Sequence, residues 1–379
     1  MEFLSILWFI LIAVLWTVYL VLEGFDFGVG MLLPVVAKND KERSVLVRTI
    51  GPHWDGNEVW LLTAGGATFA AFPAWYATMF SGMYLALFLL LVLLIIRISA
   101  IEWRSKVRSV KWRTTWDWMH TVSAYLVPLV LGVAFSNLVQ GMNIVAQNRL
   151  NVSEVIPPEA VAEYATSGNL VFNMVGGFWS LFTPFTLVGG VAVLLVCLAH
   201  GAQFLALKTE GELRQRSVKV GATASIAATL VAAIWVIWGQ FAFNANIWAW
   251  IPLIIAAVAL VLSTVMAQPA FQKEGWAFTF SSIGIAGAVA WIFTAMAPNV
   301  MKSSVDPAYS LTIPLASSTT GTLTVMTVVA VVLVPIVLAY TVWSYYVFRK
   351  RISVGDVDHG AGLLPDKIRL GANFLSGKP

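Results

Sequence analysis

Long apolar runs separated by short polar joints make up this chain from its first residues to about position 350. A membrane span takes about 20 apolar residues. By that rule the runs predict nine helices, at 4–36, 55–72, 74–96, 115–142, 170–207, 218–243, 248–267, 276–296 and 323–348. The runs ending before Pro73 and Asn244 lead almost at once into the next, so those joints are tight. The outer loop from Asn143 to Asn169, with Glu154, Glu159, Glu163, Pro157 and Pro158, reads as a solvated connection. No stretch is long and polar enough for a soluble domain. The expected fold is an all-α polytopic membrane protein, with a transmembrane helical domain over 1–352 and a cytoplasmic tail over 353–379. That tail is rich in Gly and polar residues and is expected to be flexible.

Composition agrees: of 379 residues, 59% are hydrophobic and 11% charged, against about 25% charged in soluble chains. On the predicted topology all but two of the 23 Lys and Arg, Arg149 and Lys302, fall on one side. The positive-inside rule then puts the N-terminus outside and the C-terminus in the cytoplasm. The net charge of +4 is therefore topological, and a nucleic-acid partner is not expected. The first run lacks a basic n-region and a small-residue cleavage site, and reads as a retained helix. Cys197, the one cysteine, lies in an apolar run and reads as a small core residue. Trp54, Trp60, Trp103, Trp112, Trp116, Trp118, Trp248 and Trp250 lie near predicted helix ends, as an interfacial belt requires.

Candidate chemistry gathers between Glu23 and Trp60. Glu23 and Asp26 are three apart and share a helix face. They suit a proton-conducting or charge-pairing site in the protein interior, unless the first helix simply emerges into water there. Gly24 and Gly28 have the four-residue spacing that lets another helix approach closely. Asp55 and Glu58 have the spacing of a capping box with Pro52 upstream. A cap does not call for His53, Trp54, Gly56 and Asn57 around it, so an acid that passes protons inward is the rival reading. Arg97 either snorkels to the headgroups or pairs with one of these acids. Glu102, Arg104 and Lys106 follow in a basic loop read mainly as a solvated face, and Asp117 reads as a first-turn dipole partner. EGFDF (23–27) is faintly echoed by HGAQF (200–204), which suggests two four-helix units plus a ninth helix. Of the histidines, His53 and His120 lie near helix starts, His359 in the tail, and only His200 well inside a run. That supply is poor for ligating haem, so a redox centre held by this chain alone is not expected.

EGFDFGVGML (23–32), GPHWDGNEVWL (51–61), RISAIEWRSK (97–106) and WRTTWDW (112–118) together resemble subunit II of the cytochrome bd quinol oxidases. Length, span count and topology match across nearly the whole chain. The resemblance implies a heterodimer in a bacterial cell membrane with a larger subunit I, which carries two haems b, one haem d and the quinol site. It implies oxidation of quinol by oxygen with protons drawn from the cytoplasm, this chain contributing to proton entry rather than catalysing alone. By motif it points to Asp26, Asp55, Arg97, and Glu102 with Lys106, joined by Glu23 and Glu58, for proton transfer or charge pairing. Trp54, His53, Gly24 and Gly28 are the positions expected to pack toward the haem subunit. Glu23 departs from the Asp frequent in the family. Some relatives hold a structural quinone in this subunit, but no motif here assigns one, and a small accessory subunit is left open.

Two rivals come from other classes. A proton-coupled secondary transporter would also use intramembrane acids and weak repeats, but Pro128, Pro184, Pro252 and Pro335 form no paired broken helices in the two halves. A structural helper would carry the acids passively.

Overall fold

The computed structural model describes residues 2–357. Thirteen α-helices follow one another among them: α1 Glu2–Val36, α2 Asp40–Ile50, α3 Trp54–Ala71, α4 Pro73–Gly82, α5 Tyr84–Trp103, α6 Val110–Gln140, α7 Val161–Ser167, α8 Pro184–Lys208, α9 Gly211–Phe243, α10 Trp250–Met266, α11 Glu274–Met296, α12 Ile313–Ala316 and α13 Thr320–Val347. Eight of them, α1, α5, α6, α8, α9, α10, α11 and α13, are long and apolar enough to cross a membrane. The second predicted span is present as α3 but is not one of the eight, because Asp55, Asn57, Glu58, Thr63, Thr68 and three glycines dilute its apolar character.

The two helices that carry the faint sequence echo, α1 and α8, cross at the centre. A Cβ on Gly28 would collide with the Cys197 carbonyl and stand 2.6 Å from the Gly201 Cα. Gly24, one turn earlier, leaves ordinary contact distances of 3.6 Å to Cys197 Sγ and 3.8 Å to His200. The close approach that the spacing predicts is thus met within the chain. α8 meets α6 in the same way, where a Cβ on Gly132 would lie 2.7 Å from the Gly190 Cα. Apolar side chains fill in around these crossings, among them Ile12, Tyr19, Phe27, Met31, Trp75, Trp291 and Phe293.

Several boundaries depart from the sequence expectation. The run at 74–96 is two helices: α4 starts on Pro73 at its N1 position and ends at Gly82, and α5 continues to Trp103. Arg97 therefore lies inside α5. The helix expected from 115 starts at Val110, capped by the Ser109 side chain. Asp117 is then two turns in, and it is buried against Arg104 rather than sitting in a first turn. The helix expected from 170 starts at Pro184, behind a Thr183 cap. Residues 170–174 are instead a strand.

That strand, β3 Leu170–Met174, pairs antiparallel with β1 Ile144–Asn148, which also pairs with β2 Asn151–Val155. The outer loop is thus a small sheet, and Ile144, Val145 and Ala146 of β1 are buried, rather than a solvated connection. β4 Asn299–Met301 and β5 Leu311–Thr312 form a second, two-stranded sheet.

At the opposite end α2 lies as an amphipathic helix capped by Asn39, burying Val45, Leu46 and Ile50. Asp40 takes bonds from Arg104 at 2.7 Å and Arg113 at 2.6 Å, and Glu42 takes one from Arg216 at 2.8 Å. Partial burial opposes the Asp40 charge, but the two arginines outweigh it and hold its carboxyl below the usual range. The segment after α13 turns back over α8. Ile352 donates to the Lys208 carbonyl at 2.7 Å, and Arg351 covers the carbonyls of Ala206 and Thr209. Of the expected tail, residues from 358 onward, His359 included, lie outside the described residues.

α13 stands apart from the bundle, with Leu323 its only buried residue. Near one end Trp8 Nε1 donates to Thr327 Oγ1 at 3.0 Å, and near the other Tyr345 reaches inward.

Candidate functional site

Four helices converge on one polar spot inside the apolar body. α1 supplies Glu23 and Asp26 from adjacent positions on one face, α3 supplies Asn57 and Glu58 from its first turn, α5 supplies Arg97, and α13 supplies Tyr345. Glu23, Asp26 and Arg97 are completely buried, and Glu58 and Asn57 nearly so. Arg97 Nη1 forms an ion pair with Glu23 and a second with Glu58 Oε2 at 3.1 Å. The guanidinium carbon lies 4.6 Å from the centre of the Phe27 ring, a cation–π contact that suits a desolvated arginine. Arg97 therefore does not snorkel; removing a charge from water is costly, and here the offset comes from carboxylates within the bundle.

Asp26 Oδ2 receives the Asn57 amide at 2.7 Å, and the same nitrogen donates to the Leu22 carbonyl at 3.3 Å. Asn57 Oδ1 in turn accepts from the Tyr345 hydroxyl at 2.8 Å. The carboxyl of Glu23 interacts electrostatically with those of Asp26 and Glu58, although no hydrogen bond joins them among the described residues. Ionised carboxylates only accept, so each such contact becomes a hydrogen bond only when one member carries a proton. Three acids around a single guanidinium thus form a place where a proton can be held. Both Glu23 oxygens, Asp26 Oδ1, Tyr19 Oη, Arg97 Nε and Arg97 Nη2 are buried there without a hydrogen-bond partner among the described residues.

The capping box expected of Asp55 and Glu58 does not form. His53 occupies the cap position of α3 without a side-chain cap bond, and Glu58 turns to Arg97. Asp55 points away from the cluster and is exposed. Glu102 and Lys106 are likewise outside it, exposed on the rim of a hollow of about 320 Å³ that Trp54, Arg48 and Arg104 also line. Arg104, read as part of a solvated face, is buried and bonded to Asp117 at 2.5 Å. His53 is buried with its ring stacked on Tyr345, centroids 4.1 Å apart at 3°. Burial and the nearby Lys208 push its pKa down to about 4.

Tyr345 and Tyr19 went unremarked in the sequence, and Asn57 counted only as a neighbour of the acids. Tyr345 lies 288 positions from Asn57, too far for any local pattern to join them. A tyrosine near the end of an apolar run also looks like an interfacial anchor.

Comparison with known proteins gives the same family as the motifs. The family described as Cytochrome bd terminal oxidase subunit II matches residues 4–348. The chain is 39% identical to cytochrome bd ubiquinol oxidase subunit 2 of Bacillus subtilis, over 93% of this chain and 98% of the relative. It is 37% identical to cytochrome bd-I ubiquinol oxidase subunit 2 of Escherichia coli, over 94% and 97%. Among solved structures it is similar in fold to the bd oxidase from Geobacillus thermodenitrificans, with a TM-score of 0.68 at 16% identity, covering 91% of this chain and 97% of that one. The chain belongs to the cytochrome bd terminal oxidase subunit II family. It is accordingly a multi-pass protein of a bacterial plasma membrane and a subunit of a terminal oxidase.

Proposed function

We propose that this chain is the non-haem subunit II of a quinol oxidase complex that reduces O2 to water, that it packs against and stabilises the haem-bearing subunit I, and that it contributes to proton uptake from the cytoplasm. The observation that carries the proton role is the Glu23, Asp26 and Glu58 cluster around Arg97, because ionisable groups kept out of water in a membrane protein are costly unless they act. One guanidinium can offset only one of three neighbouring negative charges, so the cluster favours keeping a proton on one of its acids. The Lys and Arg distribution supports an outside N-terminus and a cytoplasmic C-terminus. In that orientation Asp55, Glu102 and Lys106 lie exposed toward the inner surface, where protons would be collected.

Two haems b and one haem d are assigned to the partner, and when bound they supply the electron transfer and oxygen chemistry. Of the described histidines, His200 spends its nitrogens on Ser281 at 2.6 Å and the Val21 carbonyl at 3.0 Å, His53 is stacked on Tyr345, and His120, expected near a helix start, is buried well inside α6. The uncovered length of α13, together with the exposed Val59, Leu62 and Phe69 of α3, supports a docking face for the partner.

Co-expression with the partner followed by purification and reduced-minus-oxidised spectra tests this reading. The complex should show haem d and this chain alone none; haem bound by this chain alone would overturn the division of labour. Asp26→Asn and Asp55→Asn should keep the haem content and slow turnover, by about tenfold or more for the buried Asp26. Full turnover in Asp26→Asn would remove the proton role.

A further inference from the structure

Asn57 is joined to Asp26 in a way that leaves little freedom. Its side-chain nitrogen faces the Leu22 carbonyl, which can only accept, so the amide is oriented without ambiguity. A flipped amide would set its oxygen against that carbonyl and against Asp26 Oδ2. Asn57 Oδ1 therefore needs a donor, and the Tyr345 hydroxyl provides it. The tyrosine is itself held in place. Its ring stacks on His53 and meets Phe25 edge-on at 6.3 Å, while Phe348 meets His53 edge-on at 5.9 Å. Donation thus runs from the Tyr345 O–H to Asn57 Oδ1, and from the Asn57 N–H to Asp26 Oδ2.

We propose that Asn57, oriented by Tyr345, is a positioning residue for Asp26: it occupies Oδ2 and leaves Oδ1, which is buried without a hydrogen-bond partner among the described residues, as the oxygen that takes the proton. Tyr345 belongs to the helix whose midsection is bare, so the helix that a partner would cover is also the one that holds this amide in place. The inference rests on the proton role proposed above and adds to it the choice of oxygen.

The test uses the complex co-purified with its haem-bearing partner and three variants. Tyr345→Phe removes one hydroxyl and keeps the ring stack. Asn57→Asp keeps the shape but sets an acceptor against Asp26. Asp26→Asn tests the underlying reading. Turnover, quinol KM, haem content and the protonated-carboxyl band in reduced-minus-oxidised infrared difference spectra are measured for each. Tyr345→Phe is expected to keep haem content and KM, to lower kcat by about three- to tenfold, as the loss of one hydrogen bond would, and to displace the carboxyl band. Asn57→Asp should lower kcat further at unchanged haem content. Wild-type kcat with an unmoved band in Tyr345→Phe would overturn the positioning role, and so would a loss of haem in both Tyr345→Phe and Asn57→Asp, which would make the pair a structural brace. Unchanged turnover in Asp26→Asn would instead overturn the proton role itself, so the two failures are distinguishable.

Discussion

Arg97 is the side chain on which the cluster depends electrostatically. Replacing it with Gln would leave Glu23, Asp26 and Glu58 facing one another with no cation among them. Breaking a buried pair by removing one partner costs about 3–5 kcal/mol. Arg97→Gln is therefore expected to cut the yield of assembled, haem-loaded complex severely, whereas Arg97→Lys should recover part of it; equal yields for the two would mean the charge does not matter. His53 offers a test by pH. Burial and Lys208 push it down to about 4, against about 6.5 in an unfolded chain. The unfolded chain therefore takes up the extra proton first as pH falls. Stability from this site is fully present above about pH 6.5 and is lost as pH drops toward 4. The melting temperature of the purified complex should fall across that window, and His53→Phe, which keeps a ring against Tyr345, should flatten the fall.

The crossing of α1 and α8 depends on two glycines that touch backbone to backbone. A methyl on Gly28 has no flexible side chain to push aside, only the Cys197 carbonyl and Gly201. Gly28→Ala is expected to force the helices apart at a cost of about 1–3 kcal/mol or more. Gly24→Ala, which meets ordinary contact distances, should be close to neutral. Size-exclusion profiles and melting temperatures of the two variants check this, and similar behaviour would show that the crossing can relax.

The molecule as a whole leaves one side of itself unfinished. α10 also exposes apolar residues, Ile254 and Val258 among them, but its other face packs into the bundle through Leu253, Ala256 and Ala259. α13 buries only Leu323, an unusual poverty of contacts for a helix within its own chain. If the haem-bearing partner covers it, Val331→Trp should prevent co-purification of the two subunits, while Ile254→Trp on α10 should not. Retention of the partner by both variants would move the docking face elsewhere.

Much of this was legible in the order of residues. Membrane spans announce themselves because a bilayer demands about 20 apolar residues in a row, and the motif blocks at 23–32, 51–61, 97–106 and 112–118 carry the family. Glu23, Asp26, Glu58 and Arg97 stood out because charge inside such runs is expensive. Helix ends were less legible: the break at Met83, the early start at Val110 and the late start at Pro184 depend on caps and strand pairing, which apolarity does not encode. Which acids Arg97 meets, that Asp55 faces away while its neighbours Asn57 and Glu58 face in, and that Tyr345 reaches Asn57 across the length of the chain followed only from how the helices pack. Residue type sets what a side chain costs to bury, but the partner that offsets the cost is chosen by contacts between elements distant in sequence.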